Sequence, residues 1–207
     1  MKETLVVIGL GQLGFRHVQS LMEMQSEYMI YGFEINNERI DEIREQLEGV
    51  ELVHEIDALP DKIKLCIIAT GADVRFAVFK NLVERKCVKY ILFEKVLFQR
   101  KWEYMEAWEL LRKKGIKAYV NCVRREWDSY LWVQEELKNS KKITYTVTGG
   151  DWGLCCNGIH MIDLLLFLTG ETDFHIDNSK IDKEIVESKR KGFYELYGTI
   201  RPLINIF

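Results

Sequence analysis

The residues of this 207-residue chain with the clearest chemical spacing are Gly9, Gly11 and Gly14, in the run Gly9-Leu10-Gly11-Gln12-Leu13-Gly14. Glycines so spaced serve an anion. The first permits a tight turn, the second lets the backbone approach a pyrophosphate, and the third lets a helix lie close to a strand. A helix starting there offers unpaired N–H groups and its positive dipole end to the same anion. Glu34 stands twenty positions after Gly14, where a carboxylate accepts hydrogen bonds from an adenosine ribose and repels a 2'-phosphate. Gly9, Gly11, Gln12, Leu13, Gly14 and Glu34 are therefore the candidate binding set for NAD rather than NADP.

That chemistry needs a strand before the turn and a helix after it. Residues 5–8 are an apolar β-type run, and a helical pattern extends from Gly14 to about residue 27. Residues 28–33 read as a second strand closing on Glu34. Asn36 or Asn37 can cap a helix through Ile40, Ile43 and Leu47 that stops at Gly49, and residues 50–53 form a short third strand. Residues 64–69 are an unbroken apolar run of the kind covered on both faces. Thr70 follows, either lining the cofactor cleft or capping the next helix, whose Phe76, Phe79 and Val83 share a face. A strand over 88–93 ends in Glu94-Lys95; a helix over 102–113 stops at Gly115, and residues 116–123 are a sixth strand. Strand and helix alternate, which predicts an α/β doubly wound parallel sheet, a Rossmann domain over residues 1–123. Functional groups then belong at strand C-terminal ends: the glycine turn, Glu34, Thr70, Glu94-Lys95 and residues 121–125. Glu94 and Thr70 join the cofactor set.

The pattern changes afterwards. Residues 124–207 read as a partial α+β domain: a helix over 128–138, a half-buried antiparallel strand over 143–148, and an apolar helix from Cys156 or Asn157 to Leu168 stopped by Gly170. Two further strand-like pieces, 180–188 and 192–200, flank a charged turn at Lys189-Arg190-Lys191.

With 47% hydrophobic and 29% charged residues the chain can build a core, and a formal charge of -3 supplies no basic field for nucleic acid or an anionic membrane. Neither partner is expected. Five cysteines without a framework spacing point to reduced thiols in a cytoplasm. Cys155 and Cys156 with His160 lack a four-ligand spacing, so buried thiols are expected there and no metal. The chain enters its first strand directly from Met1-Lys2-Glu3, and no apolar run approaches the ~20 residues of a spanning helix. A cytoplasmic location is expected.

Three stretches taken together, GLGQLGFRH from Gly9, FEKVLF from Phe93 and GGDWGLCCNGIHMID from Gly149 to Asp163, resemble the glucose-fructose oxidoreductase and inositol dehydrogenase family (Gfo/Idh/MocA). The resemblance covers nearly the whole chain. It implies a nicotinamide cofactor and hydride transfer to or from a hydroxyl or carbonyl carbon of a sugar, polyol or related compound such as a nucleotide sugar. Lys95 matches the lysine of the family's Glu-Lys-Pro motif, and His160 the histidine of its second-domain motif. Val96 replaces the proline, where a non-proline cis bond costs roughly 3 kcal/mol. Cys156 stands four residues before His160, where many members have aspartate, and a thiol orients imidazole poorly. Asp163, three residues after His160 on the same helical face, is the substitute, or else a solvated carboxylate.

Hydride transfer from a C–H bond requires a base for the hydroxyl proton and a donor to hold the developing alkoxide. Imidazole, with an ordinary pKa of ~6.5, suits the first task. Lys95 would need its pKa lowered by ~3 units, a differential of ~4 kcal/mol, to serve as base, so the expected roles are proton transfer for His160 and electrostatic positioning for Lys95. In the family, the second domain's open sheet forms a wall of the substrate site and commonly the subunit interface of a homo-oligomer. Only its first strands are legible here, so the chain reads as a C-terminally shortened member. Two functions follow: an NAD-dependent oxidoreductase, or a non-catalytic NAD-binding protein left by truncation.

Overall fold

Strands that are apolar on both faces must be covered on both faces, and the first half of the chain meets that demand. The computed structural model describes residues 2–150, 152–188 and 192–204, and the chain divides into two compact units, Met1–Asn121 and Cys122–Phe207. In the first unit β1 (Glu3–Ile8), α1 (Gln12–Met22), β2 (Tyr28–Phe33), α2 (Asn37–Gln46), β3 (Glu51–Val53), β4 (Lys62–Ile68), α3 (Ala72–Arg85), β5 (Cys87–Phe93), α4 (Lys101–Lys114) and β6 (Lys117–Val120) alternate. Every pairing is parallel, in the order β3-β2-β1-β4-β5-β6. This is the doubly wound, Rossmann arrangement.

Register decides where the loops emerge. Ile8 is opposite both Phe33 and Ile68, Ile68 is opposite Phe93, and Phe93 is opposite Val120. Five strands thus end in one row, and Gly9, Glu34, Ala69, Glu94 and Asn121 all follow that row directly.

Alternate side chains of β1 serve opposite faces. Leu5 and Val7 pack with Val18, Leu21, Ile30 and Ile43, whereas Val6 and Ile8 pack with Phe79, Leu82, Ile91 and Phe93. Each such buried side chain contributes roughly 1.5–3 kcal/mol, and together they hold the row of strand ends rigid.

Two boundaries differ from expectation. α1 ends at Met22, and turns with Met24 donating to Leu21 O and Glu27 to Met24 O carry the chain to β2; in the exposed run Glu23–Glu27 only Met24 is apolar, too little to continue a buried helix face. β6 ends at Val120, because β5, its partner, ends opposite at Phe93.

The second unit holds a 3-10 turn (Val123–Glu126), α5 (Asp128–Leu137), α6 (Leu154–Thr169), and the antiparallel hairpin of β7 (Phe174–Glu187) and β8 (Tyr194–Ile204). The hairpin strands extend beyond the expected ranges, with register shifts between Asp177 and Lys180 and between Ile181 and Ile185. The strand expected over 143–148 does not form. Alternation alone makes no strand without a ladder partner; Tyr145–Gly149 instead line a cavity of about 620 Å³ with residues of α6 and β8. Asp151 and the expected turn at Lys189–Lys191 lie outside the described residues. Cys66 is buried, but Cys87, Cys155 and Cys156 are exposed. The last two sit on the first turn of α6, whose buried residues, Gly158, Leu164 and Leu165, come later. No helix among the described residues is long and apolar enough to cross a membrane.

Candidate functional site

At the end of β1 the chain turns at Gly9, with φ +86°, and Gly9 N donates to Phe33 O at 2.9 Å. A Cβ there would lie 2.8 Å from Thr70 Cγ2 and 3.0 Å from Thr70 N. Gly14, in the first turn of α1, is tighter still: a Cβ would stand 1.8 Å from Gly9 O. Gly11 is the N-cap of α1, no side chain caps the helix, and the space its Cβ would fill is open. Gln12 and Leu13 are exposed beside it. The first N–H groups of α1 thus face a cradle without side chains, the arrangement that suits a phosphate.

The carboxylate of Glu34 faces the same turn. Its Oε2 accepts from Leu10 N at 2.8 Å, and its Oε1 from Ile35 N at 2.9 Å and Asn36 N at 3.1 Å. Asn36 caps α2 by accepting from Arg39 N at 3.3 Å. Arg39 then donates through Nε to Leu10 O at 2.8 Å and lies 5.2 Å above the Phe15 ring. The two sides of Leu10 are therefore fixed by opposite charges, Glu34 at its N–H and Arg39 at its carbonyl. Thr70 follows β4; Gly71, not Thr70, is the N-cap of α3. Thr70 Oγ1 is buried with no hydrogen-bond partner, a state a buried hydroxyl seldom keeps without a ligand or water.

After β5 the carboxylate of Glu94 turns inward. Only 4% exposed, it accepts from His17 Nε2 at 2.7 Å and Asn121 Nδ2 at 2.7 Å through Oε1, and from Lys95 N at 3.3 Å through Oε2. Burial pushes its pKa up, but the hydrogen bonds from His17 and Asn121, the charge of His17 and the Lys95 N–H outweigh that and hold it below the ordinary carboxylate value. The loop bearing Lys95 is clamped a second time by Arg75 of α3, which is 2% exposed. Its guanidinium donates to Glu94 O at 2.6 Å, to Leu97 O at 2.9 Å, and to the carbonyls of Val96 and Thr70. The Lys95–Val96 peptide is cis. Phe98 closes the loop, its ring 5.7 Å from Phe93 and 5.6 Å from Phe76.

Glu94, expected among the cofactor contacts, thus has its carboxylate engaged with protein groups. Sequence reasoning had no role for His17 or Arg75. His17 falls one turn after Gly14, a placement that could have suggested it; the burial of Arg75 left no local signal, since all its acceptors but Thr70 O lie about twenty residues further on.

In the second unit, His160 is half-buried on the second turn of α6, with Cys156 exposed one turn before it. Asp163 is engaged by Arg125, which donates Nε to Oδ2 at 2.8 Å and Nη2 to Oδ1 at 2.6 Å. That fork ties α6 to the 3-10 turn, and the Arg125 guanidinium also lies 5.6 Å above the Phe167 ring. Gly9 to Gly14, Glu34, Thr70, Glu94 and Lys95 thus share one edge of the first unit, while His160 and Asp163 belong to the second.

Residues 4–122 match the family model described as "Oxidoreductase family, NAD-binding Rossmann fold". No curated protein matches the sequence. Among solved structures, the chain is similar to scyllo-inositol dehydrogenase from Lactobacillus casei with NAD(H) and scyllo-inositol (17% identity over 92% of this chain and 61% of that one, TM-score 0.68). It is likewise similar to myo-inositol 2-dehydrogenase from Lactobacillus plantarum (19% identity, 85% and 59%, TM-score 0.69). A super-repressor mutant of Gal80p from Saccharomyces cerevisiae is a further structural relative (14% identity, 97% and 64%, TM-score 0.68). The chain spans between 57% and 64% of the length of the first solved structures it matches.

Proposed function

The chain belongs to the Gfo/Idh/MocA oxidoreductase family, whose Rossmann fold binds NAD, and from that premise we propose that it is an NAD-dependent oxidoreductase of a sugar, polyol or nucleotide sugar. The observation that carries this reading is the row of strand ends, which sets the glycine turn, Glu34, Thr70 and Lys95 along one edge of a rigid sheet. NAD, when bound, supplies the carbon that accepts or gives hydride.

The residues divide the remaining work. The backbone of Gly11 to Gly14 holds the pyrophosphate. Glu34 takes a ribose hydroxyl: a carboxylate has about four acceptor sites, and three are filled by Leu10, Ile35 and Asn36. Thr70 Oγ1 gains its missing partner at the cofactor. Glu94, through His17 and Asn121, fixes the backbone from which Lys95 reaches the substrate oxygen. Lys95 holds the developing alkoxide, and His160 takes the hydroxyl proton. Asp163, with Arg125, keeps α6 and therefore His160 in place. The solved inositol dehydrogenase with NAD(H) and scyllo-inositol supports a polyol-type substrate.

The test is NADH formation over a panel of sugars, polyols and nucleotide sugars, run beside a fluorescence titration with NADH. Turnover that falls by about 100-fold or more in Lys95→Ala and His160→Ala, with NADH affinity unchanged, is the expected result. Turnover that survives His160→Ala removes the proton-transfer role. The likeness to Gal80p favours a second reading, an NAD-binding protein without catalysis; NADH binding with no turnover on any member of the panel would support it.

A further inference from the structure

At the other edge of the sheet, where β1, β2, β4 and β5 begin, lies an open groove of about 750 Å³. Lys2, Lys62, Lys64, Lys86, Lys89 and Lys114 line it, against the single carboxylate of Glu3. The whole chain carries a formal charge of -3, so this is a local reversal of sign rather than a reflection of composition. The floor is apolar: Ile63, Val88 and Ile116 are buried beneath it, and Met29 is 41% exposed at its wall.

The lysines differ in what they already hold. Lys64 pairs with Glu3 and donates to Tyr28 OH at 3.3 Å. Lys86 is buried and donates to Leu59 O at 2.5 Å, Asp57 O at 3.1 Å and Asp61 Oδ1 at 3.3 Å. Lys2 donates to Gln25 O at 2.7 Å. Among the described residues Lys62, Lys89 and Lys114 hold no carboxylate, and all three are exposed.

Lysines scattered over a surface are simply hydrated. Three ammonium groups without a carboxylate partner, that of Lys89 resting 5.3 Å from the centre of the Tyr90 ring, around an apolar hollow of small-molecule size are a different arrangement. The floor gains by covering an apolar body, and the flexible ammonium groups can converge on a charged head from several directions while their stems line the wall. A phosphate monoester suits three cations better than a carboxylate, because it carries up to two charges and three strong acceptor oxygens. We propose that this groove binds a small amphipathic anion, a phosphate head on an apolar body. β1 and β4, six and seven residues long, place it about 20 Å from the nucleotide turn, so the two sites can be measured independently.

Octyl phosphate below its micelle concentration is the probe, titrated calorimetrically into the full chain. Inorganic phosphate, octanol and phosphatidylcholine vesicles containing phosphatidylglycerol are the comparison arms. The variants are the triple substitutions Lys62→Glu/Lys89→Glu/Lys114→Glu and Lys62→Gln/Lys89→Gln/Lys114→Gln. One octyl phosphate per chain is expected, with inorganic phosphate and octanol each about tenfold weaker or more. Both triple variants should weaken octyl phosphate by about tenfold or more while NADH affinity stays within about twofold, which reports that the sheet is intact. Equal affinity of the Gln variant and the parent for octyl phosphate, equal affinity for inorganic and octyl phosphate, binding to vesicles alone, or no binding of octyl phosphate would each overturn the proposal.

Discussion

The first unit surrounds a six-stranded sheet with helices on both faces, while the second, among the described residues, offers one hairpin and two α-helices to build a core. Of the buried hydrophobic residues among those described, all but Leu164 and Leu165 belong to the first unit. No described residue of β7 is buried although the strand runs for 14 residues, and Trp132, Ile185 and Leu203 are each more than half exposed. Apolar content alone does not account for this, since α6 is among the most apolar segments of the chain. A core needs two layers that face one another, and a two-stranded sheet is marginal by itself. The groups proposed to bind the cofactor and His160, proposed for proton transfer, thus stand on supports of unequal strength.

The comparison can be broken most severely at Gly14. Its missing side chain is what lets α1 reach Gly9, with only 1.8 Å between the would-be Cβ and Gly9 O. Gly14→Val is expected to destabilise the first unit by about 4 kcal/mol or more and to abolish NADH binding, measured by urea unfolding and fluorescence titration. Retained binding in a stable Gly14→Val protein would mean that the turn is not the organising contact of that unit.

Native-state hydrogen exchange addresses the contrast without mutation. Amides of β1 and β4 are expected to exchange at least about 100-fold more slowly than those of β7 and β8. Equal protection would show that the hairpin draws support the burial pattern does not reveal.

Much of the stronger half was legible in sequence, and for a physical reason. Continuous apolar strands, glycine spacing and helix caps are local signals, and Asn36, Gly115 and the run from Leu5 to Ile8 each act over a few residues. What escaped was long-range. The buried Arg75 is explained mainly by carbonyls at 94, 96 and 97, with only Thr70 O nearby in sequence, and the inward turn of Glu94 depends on His17, 77 residues away. In the weaker half, the alternation over 143–148 predicted a strand that does not form, because alternation is a local signal and no described residue pairs with it in a ladder. The exposed Cys155 and Cys156 are the same lesson: an apolar helix does not bury its first turn unless something faces it.

A smaller effect should separate cofactor choice from stability. Glu34→Ser removes the charge that repels a 2'-phosphate and leaves the Arg39 guanidinium, bonded to Leu10 O, beside the same turn. Competitive titration is expected to shift the ratio of NADPH to NADH affinity by about tenfold toward NADPH, with hairpin exchange rates unchanged. An unaltered ratio would mean that Glu34 only holds the Leu10 turn.

The smallest expected effect lies in acid, at Glu94. Its folded-state pKa is held down by His17 and Asn121 against the opposing effect of burial. A carboxyl ionising below its unfolded value of about 4.3 contributes stability that is fully present above that value and is lost as pH falls through the lower, folded one. Glu94→Gln lacks that contribution. The stability gap between parent and variant, from urea melts, should therefore be constant between pH 5 and pH 6 and should narrow as the pH drops below about 4.3. Were burial the stronger influence, the folded value would lie above the unfolded one and the gap would change in the opposite sense, shrinking as pH rises through the folded value. The direction of that change decides whether the loop carrying Lys95 is held by an ionised carboxylate, and so whether the stronger half of the molecule fixes the backbone of that lysine by charge or by packing alone.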